Sequence, residues 1–273
     1  MRVVALAVVA SAFVAPAFAA DFSVPPPAND PIYAPTPMAL VGHLELGLGY
    51  GKADTSSEGV GLFSGAGRVN IPFHNDWNLQ VDLNAAASFE ASGYSYAVAG
   101  PAAHLWHRGA RGAAGILGGA SFGGGSTIGF VGAEAYYDLT ANTTLGAQAT
   151  FGWSNYYYGS NFNYWNIRGW VNYYFNPDTK LRGDIGYSVS NMNTDIWNAS
   201  ARLEHRFAGT PFSAFGQVSY FNSSYYTGSR TSGWSGMLGV RLFLDPPGTT
   251  LQGHDHLVPW NVNAFAPPSE PAT

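Results

Sequence analysis

The sequence has no cysteine, so neither a disulfide framework nor a cysteine-based zinc site is open to it. It also has little charge: 11% of its 273 residues are Asp, Glu, Lys or Arg, less than half the roughly 25% of soluble domains. The formal net charge is −5, which offers no electrostatic footprint for nucleic acid. Beyond the N-terminus no apolar run is long enough for a spanning helix, because Gly, Asn, Ser or Arg interrupts each one. Proline is scarce in the middle. Only Pro72, Pro101, Pro177 and Pro211 fall between residues 41 and 244, whereas six prolines lie between Pro25 and Pro37 and six between Pro246 and Pro271. Proline cannot donate to a sheet ladder, so the proline-poor stretch suits continuous sheet and the two ends suit extended flanks.

The first residues have the form of a secretory signal. Arg2 is a minimal positive region, residues 3–14 are apolar except for Ser11, and Ala17-Phe18-Ala19 fits the small-x-small cleavage rule. The expected organisation is a signal over 1–19 cleaved before Ala20, a Pro-rich segment over 20–40, a folded unit over 41–244 and a Pro-rich tail over 245–273. With an even strand count, both flanks fall on the periplasmic side.

What the folded unit does have is a period of two, with 34 glycines and 15% aromatic residues in the chain. Trp77, Leu79, Val81, Leu83, Ala85, Ala87 and Phe89 alternate with Asn78, Gln80, Asp82, Asn84, Ser88 and Glu90. Similar alternation recurs around Leu145 to Trp153, Trp165 to Phe175 and Trp197 to Phe207. Successive strand side chains point to opposite faces, so each run is a strand with one apolar and one polar face. About twelve such strands are predicted, joined by tight turns such as His74-Asn75-Asp76 and Asn176-Pro177-Asp178 and, at the other end, by looser Ser/Tyr/Asn/Gly segments.

Three features turn the apolar face outward, toward lipid. The strands are long, about 11–13 residues, where soluble strands average five or six. Large aromatics sit at the strand ends: Trp77, Phe175 and Phe207 at the short-turn end, and Phe89, Trp153, Trp165, Trp197 and Trp234 at the long-loop end. Trp165 to Phe175 spans roughly 33 Å of strand, or about 25 Å along the membrane normal once tilted, the spacing of two aromatic girdles. Third, the polar face carries ions in mid-strand, among them Asp82, Glu134, Arg168, Asp184 and Arg202, which a wet lumen tolerates better than a packed core. The fold class is therefore an all-β, transmembrane, antiparallel up-and-down barrel.

With its signal, its Gly/aromatic alternation and a closing strand Trp234-Ser-Gly-Met-Leu-Gly-Val-Arg-Leu-Phe-Leu244, the chain resembles the small outer-membrane β-barrels of Gram-negative bacteria, particularly alphaproteobacterial porin-like proteins. The resemblance covers residues 41–244. It implies residence in the outer membrane as a monomer or trimer, with lipid outside and small polar solutes inside. One departure is that Phe243-Leu244 does not end the chain, where such barrels commonly finish on an aromatic.

On the lumen face, strands one to six contribute Glu45, Asp82, Glu90 and Glu134, with Arg68 the exception; strands eight to twelve contribute Arg168, Arg182, Arg202, Arg206 and Arg241, with Asp184 and Glu204. An acidic wall thus faces a basic one. A hairpin centred near Asn193 pairs Arg182 with Glu204 and Asp184 with Arg202, leaving Arg168, Arg206 and Arg241 without derived partners. Gly146, Gly152, Gly186, Ser188, Ser200 and Gly239 leave space for water, while Trp170 and Tyr174 narrow the bore.

No metal or cofactor is implied. His104 and His107 point to opposite faces, and His254-Asp255-His256 lies in a tail expected to be solvated. Within that tail, residues 257–265 carry enough apolar groups to dock against the periplasmic mouth. The expected function is a narrow passive channel for small polar solutes, needing no enzyme chemistry. A structural or surface-interaction barrel without a through-pore, touching the cell wall through its Pro-rich ends, is the alternative, and a barrel-embedded lipid hydrolase comes third.

Overall fold

The structure is a computed structural model, which describes residues 40–261 apart from 75, 90–94, 124–125, 157–161, 193 and 225–227. The predicted signal, the N-terminal flank, Glu90 and residues 262–273 lie outside the described residues. Twelve antiparallel strands form one closed sheet. In chain order they are β1 (Val41–Ala53), β2 (Val60–His74), β3 (Trp77–Phe89), β4 (Ser95–Gly109), β5 (Gly112–Gly123), β6 (Ser126–Thr140), β7 (Thr143–Tyr156), β8 (Phe162–Asn176), β9 (Thr179–Ser190), β10 (Asp195–Arg206), β11 (Phe212–Ser224) and β12 (Arg230–Phe243). Each strand pairs with its sequence neighbours, and β1 closes the barrel on β12, with Glu45 opposite Arg241 and Leu48 opposite Leu238. Closure removes every free sheet edge, the condition for a sheet to survive in lipid. A helix, α1 (Leu251–Leu257), follows β12.

The alternation sorts the two faces. Leu44, Leu46, Leu83, Ile116, Ile167, Ile185, Val218 and Val240 are exposed on the outside, and Leu48 and Leu238 are 69% and 74% exposed. Asn78, Gln80, Asp82, His104, Glu134, Arg202 and Glu204 are buried inside. The arrangement is that of a barrel whose outer solvent is hydrocarbon. Trp77, Phe89, Trp153, Trp165, Phe175, Phe207 and Trp234 are all exposed near strand ends. Trp197 shares their face, opposite Tyr187 and in ring contact with Tyr220 at 5.2 Å.

A charge placed on this outer face tests its solvent directly. Leu238→Arg, near the middle of β12, is expected to lower unfolding stability in lipid or detergent by about 2–4 kcal/mol. The same change on a water-facing surface stays within about 0.5 kcal/mol. Denaturant titration of the refolded variant separates the two cases, and an unchanged midpoint would count against a lipid-facing band.

Candidate functional site: the lumen and the tail that enters it

The first tail residues turn the chain back into the barrel. Leu244 still donates its backbone N–H to Gly42 O at 2.8 Å, but Pro246 and Pro247 cannot continue the ladder, and Gly248, at φ +88°, allows the reversal. Thr250 then caps α1, its hydroxyl accepting from Gly253 N at 3.1 Å. The helix is moored to the β8–β9 turn: Gln252 N donates to Pro177 O at 2.9 Å and Leu251 N to the Asp178 carboxylate at 3.0 Å. Residues 258–261 continue into the bore.

The deepest contacts are apolar and polar together. Trp260 is 1% exposed, with ring centroids 6.1 Å from Trp106, 5.5 Å from Tyr136 and 6.4 Å from Trp170. Gln80 donates to Trp260 O at 3.0 Å and accepts from Trp260 N at 3.4 Å. Asn261 receives Arg68 Nη2 on its side-chain oxygen at 2.7 Å and Arg168 Nη1 on its carbonyl at 2.9 Å. β2 and β8 stand six places apart in a ring of twelve, so these two guanidiniums reach the same residue from opposite walls. The space left between tail and wall is a cavity of about 60 Å³, lined in part by Lys180, Arg241, Asp255 and Trp260, room for a few waters only.

The charged lumen residues are partitioned by height. Eight cations face inward from the strands, namely Arg68, Arg108, Arg168, Lys180, Arg182, Arg202, Arg206 and Arg241, against six carboxylates, Glu45, Asp82, Glu134, Asp138, Asp184 and Glu204. All but Arg168, one residue beyond the midpoint of β8, lie between the strand midpoints and the short-turn rim. Beyond these, toward the long loops, the described inward face carries no Asp, Glu, Lys or Arg; it presents polar groups such as Ser64, Asn84, Ser121, Thr150, Asn166, Ser188 and Asn198 among buried apolar ones such as Val98, Ile128 and Phe130. The tail meets the charged half with two carboxylates of its own, Asp245 and Asp255.

Several expectations are corrected by this arrangement. The β9–β10 hairpin is centred one residue earlier, closed by Ser190 N donating to Thr194 O at 2.9 Å, so Arg202 faces Arg182, and Glu204 faces Lys180. One residue at the turn slides every cross-strand pair by two. Arg182 instead bonds Asp184 on its own strand at 2.9 Å, and Arg202 forks onto Glu45 at 2.8 Å through both nitrogens. Arg168, Arg206 and Arg241 are not partnerless. They pair with Asp184, with Asp245 at 3.4 Å, and with Glu45 at 2.9 Å plus Glu204 at 3.1 Å. The more acidic first half and the more basic second half meet at the closing seam, where Glu45 of β1 lies against Arg241 of β12.

The glycines also differ from expectation. A Cβ on Gly146 would sit 2.1 Å from the Trp170 ring, on Gly152 2.2 Å from Tyr164, and on Gly239 2.2 Å from Phe215. Each is the register partner of that aromatic, so the space it leaves is filled by a ring lying across the neighbouring strand, not by water. His254 and His256 are likewise buried rather than solvated. His256 Nε2 lies 3.1 Å from Asp138, and Arg108 donates to the His256 carbonyl.

Hydrogen-bond directions are forced at one point of this seat. Arg68 can only donate and the Asp245 carboxylate can only accept. The run therefore goes from Arg68 Nη1 to His43 Nε2 (2.9 Å), from His43 Nδ1 to His254 Nε2 (2.7 Å), and from His254 Nδ1 to Asp245 (2.8 Å). Both rings are neutral in it, and a second proton on either breaks a link. Burial, opposed by Asp245, holds the His254 pKa below its ordinary value of 6.5. For Asp255, burial acts upward, but Lys180 and Arg241 hold its carboxyl well below the usual range, so it stays ionised through this window.

The sign follows. A released tail takes a proton on His254 near pH 6.5 and a seated one only below that. Seating is thus full above about pH 6.5 and weakens as pH falls, by up to tenfold per unit. Tryptophan fluorescence of the folded protein between about pH 8 and pH 5 should report Trp260 leaving its cluster, with a flatter profile for His254→Asn. A flat profile in the unaltered protein would contradict the neutral-ring assignment.

No protein-family model matches the chain, and no curated protein matches its sequence. Among solved structures it is similar to an outer-membrane channel of Pseudomonas putida F1, at 11% identity and a TM-score of 0.57, over 81% of this chain and 100% of that one. It is also similar to the NanC porin, at 13% identity and a TM-score of 0.52, over 72% of this chain and 98% of that one. At these identities the likeness is one of fold: that of outer-membrane, porin-like barrels.

Proposed function

We propose that the protein is an outer-membrane, porin-like passive channel for small polar solutes, closed in the described conformation by its own tail. In this reading residues 1–19 export the chain, the short turns and both flanks face the periplasm, and the eight end-of-strand aromatics anchor the barrel at the two lipid interfaces. The observation that carries it is the nature of the obstruction. The short-turn half of the bore is filled by a separate segment tethered at residue 245 and seated by non-covalent contacts, while the other half carries uncharged groups, hydroxyls and amides among apolar side chains such as Ile128 and Phe130. A bore filled by its own wall side chains could not be opened; a bore filled by a tail can.

The same tight seating favours the second reading, a structural barrel with no through-path. Ion current across a planar bilayer distinguishes them, measured with the refolded chain from Ala20 onward and with a variant whose tail is unseated. Discrete current steps from the second are expected. Silence from both, in protein shown to be a folded barrel, would put the structural reading first.

A further inference from the structure

The tail is held largely through oxygen atoms offered to cations. Asp255 gives its carboxylate to the Lys180 ammonium, accepts from the Tyr174 hydroxyl at 2.8 Å and lies 3.7 Å from Arg241. Asn261 offers two oxygens to Arg68 and Arg168. Counted as Arg and Lys against Asp and Glu, the inner wall as a whole has two more cations than carboxylates, and the tail brings two carboxylates, Asp245 and Asp255. A permanent filling needs no such ionic seat, since replacing buried ion pairs with packed apolar residues is usually neutral or stabilising. Part of the seat, around Trp260, is already apolar. A cationic excess buried in a bore, matched by a segment that is not part of the wall, is the arrangement expected where that segment stands in for an anion.

We propose that the tail occupies the channel's own binding site for a small organic anion: a monocarboxylate entering through the neutral half takes the place of Asp255 between Lys180 and Arg241 and displaces the tail. This rests on the channel reading. Glu204 lies 3.6 Å from Lys180 and 3.1 Å from Arg241 and remains with the wall. Its charge limits the site to one added carboxylate and disfavours multiply charged phosphate esters. The hydroxyl and amide lining above suits a hydroxylated solute, so gluconate is the probe and glucose its uncharged counterpart.

The experiment is single-channel recording from the full-length mature chain at fixed ionic strength, with chloride replaced stepwise by gluconate. Opening events are expected to rise roughly tenfold or more with gluconate and not with glucose. Asp255→Asn, which weakens a charge-assisted contact, should open roughly tenfold more often without any gluconate. Titrating the unaltered chain with gluconate while following tryptophan fluorescence gives a reading that depends on no variant, and the signal should saturate. If the unaltered chain ignores gluconate in both assays while a tail-unseated variant conducts, the anion site is wrong and the channel stands. If neither conducts although both are folded, the channel reading falls as well.

Discussion

Trp260→Ala is expected to convert a closed barrel into a conducting one. The indole is almost wholly buried between Trp106, Tyr136 and Trp170, and truncating such a ring forfeits about 3–5 kcal/mol of burial and contact. Here that loss falls on a docking equilibrium. The barrel's ladder does not pass through Trp260, whose backbone, among the described residues, bonds the Gln80 side chain. A shift of that size changes the ratio of seated to free tail by about 10² to 10³ or more. Barrel stability should change little, because the twelve strands pair without the tail. The measurement is conductance per folded channel, alongside protease accessibility of the tail. A variant that remains silent with an accessible tail would show that something other than residues 258–261 closes the bore.

The second large effect concerns barrel closure. Glu45 accepts from both Nη nitrogens of Arg202 at 2.8 Å and from Arg241 at 2.9 and 3.1 Å. It sits on the β1–β12 seam, the pairing with the greatest separation in sequence. Glu45→Ala leaves two guanidiniums without their shared carboxylate, in a region already rich in cations. Removing one partner from a buried ion network typically costs about 3–5 kcal/mol, and the seam should lose at least that share of stability. Glu45→Gln keeps the shape and one acceptor oxygen but not the charge, so it should fall between. Urea unfolding in detergent reads both. A midpoint for Glu45→Ala indistinguishable from the unaltered protein would mean that Glu204 alone satisfies the two arginines.

Alternation in the chain was enough to read the barrel, because the face a side chain occupies is a local property of extended backbone. Parity survives any slip of register by two residues. Asp82, Glu134, Arg168 and Arg202 therefore belong to the inner face, and Trp165 and Phe175 to the outer one, whichever neighbours they acquire. The length of the strands and the aromatics at their ends carry the choice of outer solvent in the same local way. Partners are a different matter. Arg182 lost Glu204 to Lys180 because one residue in a turn reset the hairpin. Arg241 met Glu45 because the first strand closes on the last. The apolar run beginning at Leu257 shows an ability to dock, but its depth is set by a pocket assembled from β4, β6 and β8 around Trp260. Contacts between residues more than 150 positions apart, such as Arg68 with Asn261, depend on register and closure together. These are properties of the finished barrel and leave no periodic trace in the chain.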